Sequence, residues 1–258
     1  MVRSRAMDPD RLKREREFFD ASSSAQFTDA VTDVPTEHMV ALLDMLGDVR
    51  GKGVLDCGCG AGELAIEIAR RGGAVVGFDL SLESVRLMDA RAQHLGVTAP
   101  GGLVTLMETL PFPDGTFDAV VGKSILHHVD VASSFAEVKR VLRPGGRAIF
   151  VENQVTNPLL RFARNRLTGR FGIARVGTID EHPLVAADYA SLRRALPGTR
   201  LHYPDFRFFG LISRNVLRYR RALWLARVFA WLDRAVYRWI PPLRRYGYHV
   251  IIEARTEA

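Results

Sequence analysis

Cysteine is nearly missing from this sequence: of 258 residues only Cys57 and Cys59 carry a thiol, one residue apart. That spacing is poor for a disulfide, and two ligands are too few for a zinc site. A disulfide scaffold and a structural zinc are both excluded, and no metal is expected. Small residues fitting a tight turn account for the pair, and so few thiols suit a reducing cytoplasm. Long apolar runs are missing as well. No stretch of about 18 uncharged apolar residues occurs, so no membrane-spanning helix is expected. Residues 1–10 are polar and charged, without an apolar segment, so no secretory signal is read there.

Acidic residues are scarce in one part of the chain only. Residues 155–258 hold 19 Lys and Arg against 7 Asp and Glu, while the rest holds 17 against 22. The C-terminal part is therefore strongly basic and the remainder mildly acidic, which directs the former toward something acidic: a lipid headgroup, a phosphorylated substrate or nucleic acid. At this length the chain is one large domain, or one domain with an insertion, and it can bury a sizeable core.

The stretch Val54-Leu55-Asp56-Cys57-Gly58-Cys59-Gly60-Ala61-Gly62-Glu63 reads as a buried strand, a glycine-rich turn and the start of a helix. α/β proteins build cofactor sites at such turns, where free N–H groups of the helix point at the ligand. A dinucleotide turn has G-x-G-x-x-G. Here Gly58, Gly60 and Gly62 give G-x-G-x-G, and the sixth position is Glu63. That carboxylate, with Asp56 just before the first glycine, repels a pyrophosphate and suits a cationic ligand. S-adenosylmethionine carries an ammonium and a sulfonium, and the turn looks like motif I of the class I methyltransferases that use it. Asp56, Gly58, Cys59 and Gly60 are the binding candidates of the turn. Residues 74–78 form the next strand, ending at Asp79, which lies 21 positions after Gly58. An acid at that place accepts hydrogen bonds from both ribose hydroxyls of either cofactor, and Leu80 is placed to pack on an adenine face.

Residues 8–20 and 36–47 read as helices, the second capped by Thr36, and Phe27 is a candidate cofactor contact. Helices over 62–71 and 82–94, a strand over 103–106, a strand over 117–121, a helix over 135–142 and a strand over 147–152 follow. Within this order, Leu110-Pro111-Phe112-Pro113-Asp114-Gly115-Thr116-Phe117-Asp118, then Ser124-Ile125-Leu126-His127-His128, then Arg140-Val141-Leu142-Arg143-Pro144-Gly145-Gly146, is similar to the type 11 methyltransferase family. That family includes ubiquinone and menaquinone C-methyltransferases and many small-molecule O-methyltransferases. The resemblance covers roughly residues 50–153. It implies a Rossmann-like, doubly wound α/β fold with a seven-stranded sheet whose last strand is antiparallel, and S-adenosylmethionine as cofactor. Family members often carry an aspartate, two residues before the Glu108 position, that accepts from the adenine amino group. Here that position is Leu106, so the adenine falls to backbone near Met107, to packing on Leu80, or to Glu108.

The expected organisation is an N-terminal helical cap over 1–48, a cofactor-binding core over 49–154 and a substrate-side half over 155–258. In the last, a basic and apolar helix begins near 155, a helix covers 184–196, strands cover 200–206 and 248–254, and a helical insertion or lid occupies about 211–245. On a helical wheel of 213–240, Leu217, Trp224, Val228, Trp231, Leu232, Ala235 and Trp239 share one face and Arg220, Arg227, Arg234 and Arg238 one flank. The face either packs on the protein as a lid or lies in the plane of an anionic membrane surface.

The expected reaction is methyl transfer to a small, hydrophobic or lipid-linked acceptor, to oxygen in preference to carbon. A base is needed for a hydroxyl acceptor. His127 and His128, after strand four, and His182, beside Glu181, are the catalytic candidates, and Lys123 borders the methionine end of the cofactor or an anionic acceptor. The D/N-P-P-Y/F run of amino-methylating enzymes is absent, Gly122-Lys123-Ser124-Ile125 standing in its place. Nucleic acid is not favoured, since stacking aromatics on a sheet are not evident. The expected location is cytoplasmic, at the inner membrane face if the helix is interfacial. The rival readings are a non-catalytic S-adenosylmethionine-binding or membrane-adaptor protein and an NAD(P)-dependent oxidoreductase.

Overall fold

Short apolar runs alternating with amphipathic stretches fold into one seven-stranded sheet between helices. The computed structural model describes residues 8–26, 36–154, 156–167, 183–212 and 223–257. The strands are β1 (Gly53–Cys57), β2 (Ala74–Asp79), β3 (Gly101–Val104), β4 (Phe117–Lys123), β5 (Leu142–Asn153), β6 (Arg200–His202) and β7 (His249–Arg255). The helices are α1 (Pro9–Gln26), α2 (Glu37–Leu46), α3 (Glu63–Arg70), α4 (Leu82–His94), α5 (Val131–Val141), α6 (Pro158–Leu167), α7 (Ala186–Ala195), α8 (Phe209–Ile212) and α9 (Leu223–Trp239). The strand order is β3-β2-β1-β4-β5-β7-β6, with β7 antiparallel to both its neighbours and the other pairs parallel. This is the expected doubly wound sheet with an antiparallel last strand. The order reverses between β1 and β4, and in such sheets the crevice beyond the carboxyl ends of those two strands is where ligands bind.

Both faces of the sheet are covered, so each strand feeds two cores by alternation. Along β5, Ala148 and Phe150 join one core, with Phe135 of α5 and Leu192 of α7. Ile149 and Val151 join the other, with Leu42 and Leu43 of α2 and Leu64 and Ile68 of α3. Helix starts follow their caps. Thr36 Oγ1 accepts from Met39 N at 3.4 Å, and Ser81 Oγ from Ser84 N at 3.0 Å. α1 is fastened across α4: Ser81 Oγ donates to Asp20 Oδ1 at 2.5 Å, and the Ser23 and Ser84 hydroxyls lie 2.9 Å apart.

Several predicted bounds shift, each for a local reason. β3 begins two residues earlier than expected because Gly101 pairs with Val76 and Val104 with Asp79, after which the chain turns away. β6 stops at His202 instead of reaching 206, since Pro204 offers no N–H and Asp205 is drawn into a side-chain cluster. α5 starts at Val131, capped by Asp130, whose carboxylate accepts from Ser133 N at 3.0 Å. The tryptophan stripe departs from the lid expectation. Trp224, Trp231 and Trp239 are exposed rather than packed on the protein. Leu217, Arg220, Phe27, Glu181 and His182 lie outside the described residues.

Candidate functional site

The glycine turn after β1 takes its shape from three positive φ angles: 65° at Gly58, 50° at Gly60 and 78° at Gly62. Side chains resist that backbone conformation. Gly58 and Gly62 are also sterically required. A Cβ on Gly58 would meet Ile125 Cδ1 at 2.7 Å, and one on Gly62 would meet Met88 Cγ at 2.3 Å. A Cβ on Gly60 meets nothing within 4 Å, because that position faces open space.

That space is a cavity of about 330 Å³ at the carboxyl ends of β1, β2 and β4. Of the residues predicted to form the site, Asp56, Gly58, Cys59, Gly60, Asp79, Leu80, Met107, Glu108, Lys123 and His128 all line it. Glu15, Asp56, Glu63, Asp79 and Glu108 line it against Lys123 and His128, so the titratable groups in its largely apolar walls are mostly acidic.

The acidic groups sit in different environments. Asp56 is 1% exposed. Burial pushes its carboxyl up from 3.8 to about 7, against a downward pull from Lys123, and its Oδ2 has no hydrogen-bond partner. Burial also raises Asp79, although Gly60 N donates to its Oδ2 at 3.0 Å and Ser81 N to its Oδ1 at 2.9 Å. Those two bonds tie the tip of β2 to the glycine turn. Burial pushes Glu63 up, but Lys123, whose Nζ pairs with its Oε2 at 2.6 Å, and the charge of Arg91 together outweigh it and hold the carboxyl low. Glu108 Oε1 accepts from Asp130 N at 2.9 Å.

The two adjacent histidines keep their rings 4.2 Å apart but take different partners. His127 Nδ1 lies 2.8 Å from Glu152 Oε2, and Glu152, fully buried, also accepts from Ile125 N and Leu126 N at 2.7 Å each. Glu152 thus anchors the turn after β4, and His127 belongs to that anchor rather than to the cavity wall. His128 faces the cavity, its Nδ1 3.5 Å from Glu15 Oε1 and its ring edge-on to Phe19 at 5.3 Å. Arg11 donates to its carbonyl oxygen. Ser124, between Lys123 and Ile125, also lines the cavity and holds φ 59°, a strained value for a residue with a side chain.

Three features escaped the sequence reading. The first is which residues of the N-terminal helix wall the cavity: Leu12, Glu15 and Phe19 of α1. Their i, i+3, i+7 spacing is the signal that marks one helix face. The second is Glu152, readable only once the turn is folded. The third is a cluster at the start of β7. His38 Nε2 and His249 Nδ1 each lie 2.9 Å from Asp205 Oδ2, and Arg207 Nε lies 2.7 Å from the same oxygen. Two histidines and a carboxylate with ligand atoms within 4.8 Å of one another form a donor set of the kind metals use. The guanidinium already neutralises that carboxylate, so the cluster reads as a brace joining α2, the 203–208 loop and β7.

Residues 55–150 match a family described as a methyltransferase domain. The ubiquinone biosynthesis O-methyltransferase of Alkalilimnicola ehrlichii is 37% identical over 106 residues, covering 41% of this chain and 43% of the relative. The ubiquinone/menaquinone biosynthesis C-methyltransferase UbiE of Geobacter sulfurreducens is 39% identical over 109 residues, covering 40% and 42%. The chain thus spans less than half the length of these two curated relatives. The geranyl diphosphate C-methyltransferase of Streptomyces coelicolor A3(2), solved with Mg2+, geranyl diphosphate and S-adenosyl-L-homocysteine, superposes with a TM-score of 0.63 at 17% identity, covering 95% of this chain and 97% of that one. At that identity the likeness is one of fold.

Proposed function

We propose that the methyltransferase domain works with S-adenosylmethionine and transfers a methyl group to a small, hydrophobic or lipid-linked acceptor, to oxygen in preference to carbon. The observation that carries this is Asp56: a buried carboxylate oxygen without a partner, in a cavity whose titratable groups are mostly acidic, beside a glycine backbone that a ligand can approach. A dinucleotide would set its pyrophosphate against Asp56 and Glu63, whereas an ammonium and a sulfonium are attracted by the same groups.

In this reading Asp56 holds the ammonium and Asp79 the ribose hydroxyls, each of its oxygens keeping a lone pair beyond the backbone bond it already accepts. Leu80 and the backbone near Met107 border the adenine. Glu108, committed to Asp130 N, supports that wall, and Gly58, Cys59 and Gly60 give the close backbone approach. The 1–48 segment acts as a cap through Leu12, Glu15 and Phe19 of α1. When bound, S-adenosylmethionine supplies a methyl carbon on a sulfonium, open to in-line displacement by the acceptor. The chain's task is to hold the acceptor on that line and exclude water. For a hydroxyl acceptor, His128 is the group placed to take the hydroxyl proton while the methyl–sulfur bond gives way to the methyl–oxygen bond and S-adenosylhomocysteine leaves, and Glu15 lies beside its imidazole to offset the charge gained. The relatives include both an O- and a C-methyltransferase, and His128 at the cavity wall supports oxygen.

Calorimetry with S-adenosylmethionine and S-adenosylhomocysteine tests the cofactor: micromolar binding that disappears in Asp79→Ala is expected, and the absence of any binding by the wild type refutes the proposal. Transfer from labelled cofactor to a panel of prenylated phenols tests the chemistry. His128→Ala should lose about 10²–10⁴-fold in kcat with cofactor affinity retained. Cofactor binding without transfer to any acceptor would favour a non-catalytic binding protein.

A further inference from the structure

Helix α9 presents its apolar stripe to solvent, and a buried aspartate is the reason. Asp233 accepts from Phe208 N at 3.0 Å and from Phe209 N and Gly210 N at 2.9 Å each, capping α8. Phe229 stacks on Phe209 with centroids 6.4 Å apart and planes 17° apart. These contacts fix which side of α9 faces inward. At 100° per residue Asp233 lies opposite Trp224 and Trp231, so the stripe points outward. Trp224 is 67% exposed, Trp231 60% and Trp239 77%, with Val228 exposed between them.

The same outward side is basic. Arg227, Arg234 and Arg238 are exposed along one flank, and Arg238 lies over the Trp239 ring at 5.8 Å. The only acidic residue of α9 is Asp233, which faces inward, and neither α6 nor the 3₁₀ turn Pro241–Tyr246 holds any. α6 is joined to that turn: Thr156 Oγ1 donates to Arg245 O at 2.8 Å. α6 itself exposes Leu159, Arg161 and Phe162.

We propose that this face docks on an anionic bilayer surface, with α9 lying in the interfacial plane, its tryptophans at headgroup level and its arginines on the lipid phosphates. Three tryptophans on one helix face are not a scatter of single exposed residues, and tryptophan prefers the boundary between hydrocarbon and headgroups. The absence of acid from the outward side selects a negative partner. A second copy meeting the same face across a two-fold axis would set arginines against arginines. No described helix is long and apolar enough to cross a membrane, so the contact is with the surface. The proposal does not depend on methyl transfer, since vesicle binding is read without cofactor.

The test uses the full chain with vesicles of phosphatidylcholine alone and with about 30 mol% phosphatidylglycerol. Co-sedimentation at least about tenfold tighter on the anionic vesicles is expected, with a blue shift of tryptophan emission. The variant W224S/W231S/W239S should bind about tenfold or more weakly with an unchanged melting temperature, because the three rings are exposed. Arg227→Gln and Arg234→Gln should each lose about fivefold, and less at high salt. No binding to anionic vesicles overturns the proposal, as does wild-type affinity in the triple tryptophan variant. A lipid-free dimer that the triple variant converts to monomer also overturns it, and reassigns the face to a second copy of the chain.

Discussion

Ligand binding at Asp56 should be coupled to the release of a proton, and the size of the coupling follows from burial. The carboxyl is buried, and desolvation raises it from 3.8 to about 7 in the ligand-free fold. Because the folded value lies above the unfolded one, this group's contribution to stability is complete below about pH 4 and is lost as pH rises through about 7. At about 1.4 kcal/mol per tenfold change in proton affinity, keeping the group ionised costs the ligand-free fold about 4 kcal/mol at pH 8. An ammonium beside Oδ2 reverses the preference, so binding requires the ionised form and expels the proton. Calorimetry at pH 6.5, in two buffers with different heats of ionisation, should show release of about three quarters of a proton. The Kd should weaken toward tenfold per pH unit from about pH 7 down to 5.5, and above about pH 8 the ligand's own amino group begins to lose its charge. Asp56→Asn should abolish the slope between pH 5.5 and 7.5 and weaken binding at pH 7.5 by about 30-fold or more. The same variant should melt about 5 °C higher without ligand at pH 8, since a buried charge is gone. A Kd that stays flat from pH 5.5 to 8.5, or an Asp56→Asn protein that melts lower at pH 8, refutes the reasoning.

Three further outcomes follow from the geometry. Gly62→Ala should cost about 3 kcal/mol in urea unfolding, through its φ of 78° and the Met88 contact at 2.3 Å, whereas Gly60→Ala, strained but in open space, should cost about 1 kcal/mol and mainly weaken cofactor affinity. Glu152→Gln should lower stability by about 2 kcal/mol, read as a melting temperature, because an amide accepts more weakly than the carboxylate from two backbone N–H groups and is a poorer partner for His127. Burial pushes Asp205 up, but hydrogen bonds from His249 and His38 outweigh it and hold the carboxyl well below its usual range. Its contribution is therefore present above about pH 4 and lost as pH falls below that. Asp205→Asn should lose about 2 kcal/mol at pH 7 and show a flatter acid limb in pH-dependent denaturation.

Much of the site was legible because its signals are local. A buried run, three alternate glycines and an acid at the end of the next strand lie within 26 residues, from Val54 to Asp79, and each has a backbone meaning: a strand, positive φ and a strand tip. β1, a continuous buried run, and α4, capped by Ser81, fall on their predicted bounds. What was hidden is what tertiary structure alone assembles. His38, Asp205 and His249 come from α2, a loop and β7, and no spacing in the chain couples them. The pair His127-His128 reads as one unit, and the rings do lie 4.2 Å apart, yet their partners differ: His127 meets Glu152 and His128 lines the cavity. The end of β6 was equally hidden, because Tyr203 and Phe206 extend an apolar pattern that Pro204 stops from pairing.

The orientation of α9 shows why a stripe on a helical wheel leaves its partner undecided. Periodicity says that Trp224, Trp231 and Trp239 share a face, but not whether that face turns inward. Burying a large apolar side chain gains about 1.5–3 kcal/mol, so three tryptophans favour an inward turn. Opposing them is a single carboxylate. Rotating the helix to bury the tryptophans would strip Asp233 from three backbone N–H groups and leave α8 uncapped. Each orphaned buried donor costs about 1–3 kcal/mol, so the three together match what the rings would gain, and α9 as folded keeps all three paired. The balance lies with the polar anchor, which keeps the tryptophans outward in water. Transfer of that face to a bilayer interface then gains the apolar term without giving up the cap. A helix whose apolar side could turn inward at no polar cost would fold as a lid. Asp233 removes that choice, and the same three hydrogen bonds that hold α8 are what leave the tryptophan side facing solvent.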